Sequence, residues 1–219
     1  MAAEGYHDAV WQSVPEGAKP ADAQLRRAFV LEHVAQLAGR PERAGERRPR
    51  VLDVGCGEGQ LADELQRAGA DVVGIDVAQE ALRRARERHP AVELKLVPER
   101  GPWPFADASF DLAWAGDTIE HVTDTASWLS EVRRVLRSGG TLLLSTPAHD
   151  RFTLLAFALS PRRFDRHFDP RSDHLRFYTA RTLRRLLEDF RFEEVEVRGA
   201  GGLPGARRLL LAAARRASF

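Results

Sequence analysis

The residues with most chemistry to offer in this chain form one short run, Asp53-Val54-Gly55-Cys56-Gly57-Glu58-Gly59. Glycines at alternate positions let the backbone take positive φ and let a ligand lie against bare main chain. The acid two positions before the first glycine would stand at the carboxyl end of a strand, where open α/β sheets bind ligands. A negative charge there repels a pyrophosphate and suits a cationic ligand. The dinucleotide spacing G-x-G-x-x-G is not met either, because position 60 is Gln60. A second acid, Asp76, follows roughly 20 residues past the turn, from where a carboxylate accepts hydrogen bonds from ribose hydroxyls. Further along, Ile119-Glu120-His121-Val122 and Asp173-His174-Leu175 each carry a histidine, a side chain able to take a proton near neutral pH.

With its preceding strand and the later motifs, the pattern D-x-G-C-G-x-G closely resembles the first motif of class I S-adenosylmethionine-dependent methyltransferases. The resemblance covers most of residues 50–215. It implies an S-adenosylmethionine site formed by Asp53, Gly55, Cys56, Gly57, Gly59, Asp76, Val77, Glu99, Arg100 and Gly116. Within that set, counting back from Pro104-Phe105 puts Glu99 where the family has an acid, more often aspartate. Its carboxylate would accept from the adenine amino group while the Arg100 backbone N–H donates to a ring nitrogen. Trp103 is either a cover for the adenine face or a core aromatic. Cys56 belongs to the turn and is not expected to act as a nucleophile, since no neighbour marks it for activation.

Methyl transfer from a sulfonium is an in-line displacement with a good, neutral leaving group. Most of the acceleration can come from holding the acceptor on the methyl axis. A base helps when the acceptor must lose a proton. The catalytic candidates are His121 and His174, each as base, ligand or brace. Asp117, Glu120 and His121 would share one face if a helix began there, and with His174 they could hold a divalent cation. That set is similar to the metal site of small-RNA terminal 2′-O-methyltransferases and of some ubiquinone-type O-methyltransferases. Glu-His after the fourth strand is, however, widespread in relatives that bind no metal, and Asp117 reaches less far than the usual glutamate. The expectation is no metal.

Composition sets the outer bounds. The chain has 219 residues, 43% hydrophobic, and a net charge of +1, which suits one α/β domain and gives little support to a nucleic-acid partner. Cys56 is the only cysteine, so no intrachain disulfide forms. The start MAAEGYHDAVWQ lacks a basic segment followed by an apolar core, and no apolar run approaches the ~18 residues of a membrane span. These features predict a cytoplasmic protein with no membrane partner; the resemblance implies a small-molecule acceptor, and the chain is expected to be a monomer or homodimer.

The elements that must position these residues read as an α/β fold. The spacing predicts helices over 21–39, 60–68, 78–88, 126–137 and 180–189, the first closed by Gly39 and Pro41 and the fourth by Gly139-Gly140. Strands are expected at 50–54, 71–75, 92–96, 110–115, 140–145 and 192–198, with a flexible turn at 199–205. The tail 207–216 is helix or strand by pattern. The resemblance implies a strand, giving a Rossmann-like, mostly parallel seven-stranded sheet with helices on both faces, closed by an antiparallel C-terminal hairpin. One methyltransferase domain is expected over 1–219, divided into a helical cap (1–49, with a polar linker at 40–50), a cofactor-binding core (50–146), a substrate lid without regular structure (147–177) and the end of the sheet (178–219). Tyr6, Trp11 and Phe29 are either a pocket wall or core. In the lid, Phe152, Leu154, Leu155, Phe157 and Leu159 could close over an acceptor or pack a partner subunit. Arg162, Arg163, Arg166, Arg171 and Arg176 read as an anion site or, more simply, as a solvated face.

Overall fold

A computed structural model describes residues 3–39, 48–169 and 172–218. Pro41, most of the 40–50 linker and Arg171 lie outside the described residues. The chain runs α1 (Ala3–Ser13), α2 (Ala23–Ala38), β1 (Arg50–Val54), α3 (Gln60–Arg67), β2 (Asp71–Asp76), α4 (Gln79–Arg88), β3 (Glu93–Leu96), β4 (Phe110–Gly116), α5 (Thr125–Val135), β5 (Leu136–Pro147), α6 (Arg151–Ala158), α7 (Pro161–His167), α8 (Ala180–Asp189), β6 (Phe192–Leu203) and β7 (Ala206–Arg216). The seven strands form one sheet in the order β3-β2-β1-β4-β5-β7-β6. β1 to β5 are parallel, and β7 runs antiparallel to both β5 and β6. The tail is therefore the strand expected, and the order reverses at β1/β4, the switch point where such sheets bind ligands.

Alternation along the strands makes the sheet two-faced. Leu52 and Val54, Ala113 and Ala115, Leu142 and Leu144, and Leu210 and Ala212 point into one buried layer with Trp128 and Leu129 of α5 and Leu183 and Leu187 of α8. Val51, Leu112, Trp114, Leu143, Leu209 and Leu211 point into the other, against Phe29, Val30, Val34 and Leu37 of α2 and Leu65 of α3. Each fully buried leucine contributes about 1.5–3 kcal/mol of transfer free energy, which selects this register against a one-residue slip.

Several expectations are corrected. Residues 3–13 form a helix, and 147–177 is not structureless: β5 runs to Pro147 and two short helices follow. Asp150 caps the first, accepting from Thr153 N–H at 2.9 Å, while Ser160-Pro161 opens the second. The apolar run Phe152–Leu159 is too uniformly hydrophobic to show a helical stripe. Gly139-Gly140 lies inside β5, because α5 already ends at Val135 when Leu136 turns extended. Residues 199–203 belong to β6, and the turn shrinks to Pro204-Gly205 with Gly205 at φ 82°.

Candidate active site

β1 leaves the sheet centre into the glycine turn, with Gly55, Gly57 and Gly59 at φ 73°, 53° and 75°. These angles are costly for any residue with a Cβ. Space makes the same demand: a Cβ on Gly55 would stand 2.6 Å from Thr118 Oγ1, and one on Gly57 2.9 Å from the Trp11 ring. Asp76, at the end of β2, accepts from Gly57 N–H (2.9 Å) and Ala78 N–H (2.9 Å), so it holds the turn and starts α4 at once. Burial raises the Asp76 carboxyl even so, and burial with Asp76 as neighbour raises the Asp53 carboxyl to about 7. Two buried carboxyls at the mouth of a glycine turn are relieved by a cation. Burial and the same two acids also keep the Cys56 thiol protonated, which rules against a nucleophile there.

Above the carboxyl edge lies a cavity of about 640 Å³, within the ~300–1,000 Å³ of small-molecule sites. Gly55, Asp76, Val77, Glu99, Asp117 and His121 line it. Tyr6, His7, Val10, Trp11 and Val14 form its wall on the N-terminal side. Their spacing is a helical stripe, the signal in the sequence that α1 existed. Phe29 is core, edge-on to Trp114. The wall is lashed down by charge: buried Glu58 accepts from Gly17 N–H (2.8 Å), Arg88 (2.6 Å) and Arg84 (3.3 Å), and Asp8 accepts from Glu80 N–H (2.9 Å). Trp103 is buried in the core and also lines the cavity, with its backbone N–H donating to Glu131 at 2.6 Å. Glu99 accepts from the Thr123 hydroxyl at 2.5 Å. Arg100 is exposed and does not line the cavity; Asp53, Gly57 and Gly59, which are buried, and the half-buried Cys56 and Gly116 do not line it either.

Four bonds to main-chain carbonyls, two of them from a side chain, bring the distant histidines together. The Glu120 carbonyl accepts from Leu175 N–H (2.8 Å) and Arg176 N–H (3.2 Å), and the Arg176 guanidinium bonds the carbonyls of Val122 and Thr123. The His121 and His174 rings then meet edge to face with centroids 4.8 Å apart. His121 Nδ1 lies 3.0 Å from the Asp173 carbonyl oxygen, which can only accept. In the neutral ring this contact puts the proton on Nδ1 and the lone pair on Nε2. The Asp173 carboxylate stands 3.4 Å from the same nitrogen. His174 does not line the cavity; burial and then His121 hold its imidazole toward the neutral form.

Asp117 is drawn away from this group. It sits at φ 50° and is paired with Arg26 of α2 and with the Ser145 hydroxyl at 2.8 Å. Glu120, His121 and His174 remain as a set whose ligand atoms lie within 4.8 Å of one another. Glu120 is 1% exposed, with neither carboxylate oxygen hydrogen-bonded, and burial followed by Asp117 pushes its carboxyl up to about 8. Thr146, whose own hydroxyl lacks a bond, offsets this only weakly. Asp173, quoted in the sequence only as the neighbour of His174, and Thr118, which the sequence did not single out, also stand at this site; the return of the 172–178 segment to the Glu120 carbonyl is what brings Asp173 there.

The bare turn, the buried acids and the cavity fit S-adenosylmethionine, whose ammonium and sulfonium are cationic. Comparison with known proteins agrees. The methyltransferase domain family model matches residues 23–197. A malonyl-[acyl-carrier protein] O-methyltransferase of Pseudescherichia vulneris is 36% identical over 127 residues, 58% of this chain and 47% of that protein. A methyltransferase of the same cofactor dependence from Methanosarcina mazei superposes with TM-score 0.61 at 25% identity, covering 82% of this chain and 99% of that one. The DszA carbon methyltransferase superposes with TM-score 0.70 at 17% identity, covering 92% of this chain and 56% of that one, a likeness of fold. The chain spans about half the length of the curated relatives it matches. It belongs to the methyltransferase domain family, within the class I fold whose methyl donor is S-adenosylmethionine.

Proposed function

We propose that this chain transfers a methyl group from S-adenosylmethionine to an oxygen or nitrogen of a small organic acceptor, releasing S-adenosylhomocysteine. The observation that carries the reading is His121 at the cavity wall, its Nδ1 proton fixed by the Asp173 carbonyl so that Nε2 is free to accept a proton. The donor supplies an electrophilic methyl on a sulfonium whose departure leaves a neutral thioether. Everything else falls to the protein. Asp53, Gly55, Cys56, Gly57 and Gly59 would hold the amino-acid end, Asp76 and Val77 the ribose, Glu99 and Arg100 the base, and Gly116 the edge facing the acceptor. Trp103, Val122 and Trp128 make the wall apolar and exclude water. His121 would take the acceptor's proton as the bond forms, with the Asp173 carboxylate beside the ring to balance its charge. His174 would brace it. Of the 147–177 segment, Ser172, Asp173 and Leu175 reach the cavity and would contact the acceptor.

One observation favours a second reading, metal-assisted transfer to an RNA 2′-hydroxyl. The unpartnered carboxylate of Glu120 beside His121 and His174 is a donor set that suits a divalent cation. Without Asp117 it has one ligand fewer than the sequence offered. The test is S-adenosylhomocysteine release against phenols, catechols, amines, sugar nucleotides and short RNAs, with and without Mg²⁺, Mn²⁺ or Zn²⁺. Turnover of a small acceptor in chelator supports the first reading. Turnover of RNA only with metal supports the second. Tight donor binding with no turnover on any acceptor would argue for a binding protein.

A further inference from the structure

α6 and α7 bury none of their residues. Phe152 is 64% exposed, Leu159 at the corner between the helices 76%, and Leu155, Phe164 and Phe168 are also exposed. Side chains of this size are what a helix normally buries. The rings among and beside them are contiguous: Phe164 meets Phe168 (centroids 4.7 Å), Phe168 meets Phe177 (5.9 Å) and His167 (4.8 Å), and His167 meets Phe157 (4.5 Å). Phe152 lies against the β6–β7 turn at Gly205, next to Leu203, which is 75% exposed. The same stretch is basic. Arg151, Arg162, Arg163 and Arg166 are all exposed, and Asp165 is the only acid between residues 151 and 168. No residue of α6 or α7 lines the cavity described above, so that site makes no use of them.

We propose that the α6–α7 hairpin docks this protein on the surface of an anionic lipid bilayer. The leucines and phenylalanines would enter the boundary between headgroups and acyl chains, and the arginines would meet lipid phosphates. Basic and apolar residues interleave in Arg163-Phe164-Asp165-Arg166-His167-Phe168, as in interfacial helices. A protein–protein patch separates an apolar centre from a polar rim instead. Such docking is peripheral and needs no spanning helix; none of the described helices is long and apolar enough to cross a membrane. It departs from the sequence-based expectation of no membrane partner, and it stands whether or not the methyl-transfer reading holds.

The test is co-sedimentation of the full chain with vesicles of phosphatidylcholine alone and of equal parts phosphatidylcholine and phosphatidylglycerol. The chain is expected to bind the mixed vesicles, to leave the neutral ones in solution, and to be released by high salt. Arg162→Gln, Arg163→Gln and Arg166→Gln together should lower partitioning about a hundredfold. Leu159→Ser with Phe164→Ser should lower it about tenfold or more while the circular dichroism spectrum stays that of the parent. No binding to mixed vesicles, or equal binding by the variants, overturns the proposal. So does a dimer in light scattering that Leu159→Ser with Phe164→Ser dissociates while vesicles bind nothing, which would assign the patch to a second copy of the chain.

Discussion

The Trp11 ring stands directly over Gly57, so that a Cβ on the glycine would come within 2.9 Å of the indole. An N-terminal helix and the glycine turn are thereby fitted to each other, although 46 positions separate the two residues (57 − 11). Gly57→Ala meets two penalties, the left-handed φ of 53° and the ring. We expect a loss of about 1–3 kcal/mol in urea unfolding, with part of it recovered by adding Trp11→Ala. No recovery on adding Trp11→Ala would show that α1 does not rest on the turn in solution.

His121→Gln should lower kcat by about 10²–10⁴ against an oxygen acceptor while leaving donor affinity within about twofold. Calorimetric titration and steady-state kinetics on the same preparation separate the two. His174→Gln, which removes a brace, should cost kcat less. If His174→Gln were the more damaging, the base and brace roles would be exchanged.

Donor affinity should depend on pH through Asp53. Burial and the neighbouring Asp76 hold its carboxyl at about 7, so at lower pH a cationic ligand meets a neutral acid. Affinity should fall by about tenfold per pH unit below that value, with a proton released on binding near neutrality. Asp53→Asn should bind weakly at every pH. Titration calorimetry in buffers of different ionisation heat reads both effects, and a flat profile between pH 5.5 and 8 would remove Asp53 from the donor site.

Stability of the metal-free protein should fall as pH rises from about 6.5 to 8 and level off above that. Glu120 and Asp53 titrate near 8 and 7 in the folded chain, against ordinary values of 4.5 and 3.8. Across that window the folded state keeps protons that the unfolded chain has lost, so unfolding gains ground with pH. Below it His149, His167 and His174, held toward neutrality chiefly by burial, pull the other way. The acids that arginines hold low, Glu80 and Glu131, act at more acidic pH. Glu120→Gln removes the largest part of the slope and should raise the melting temperature at pH 8. A lowered melting temperature there would mean that the carboxylate is paired within the protein in solution.

What the sequence determined by itself is the centre of the sheet. The turn 55–59, the acids Asp53 and Asp76 and the strand alternation are local patterns, imposed by backbone φ and by two-sided burial, and they appear where expected. Local signal also existed for α1, in the stripe from Tyr6 to Val14, and for the start of α6, in the Asp150–Thr153 cap. Tertiary structure decided the rest. Asp117, His121 and His174 read as partners along the chain, yet Arg26 and Ser145 pull Asp117 aside, because a half-buried carboxylate takes the charged and hydroxyl donors the fold brings to it. Glu120 contributes to the site first through its carbonyl, which no side-chain motif can announce. Asp173 fixes the His121 tautomer with a main-chain oxygen, and any residue type could have supplied that atom. Chemistry that depends on side-chain identity is written in the sequence, and chemistry that depends on where a backbone atom comes to rest waits for the fold.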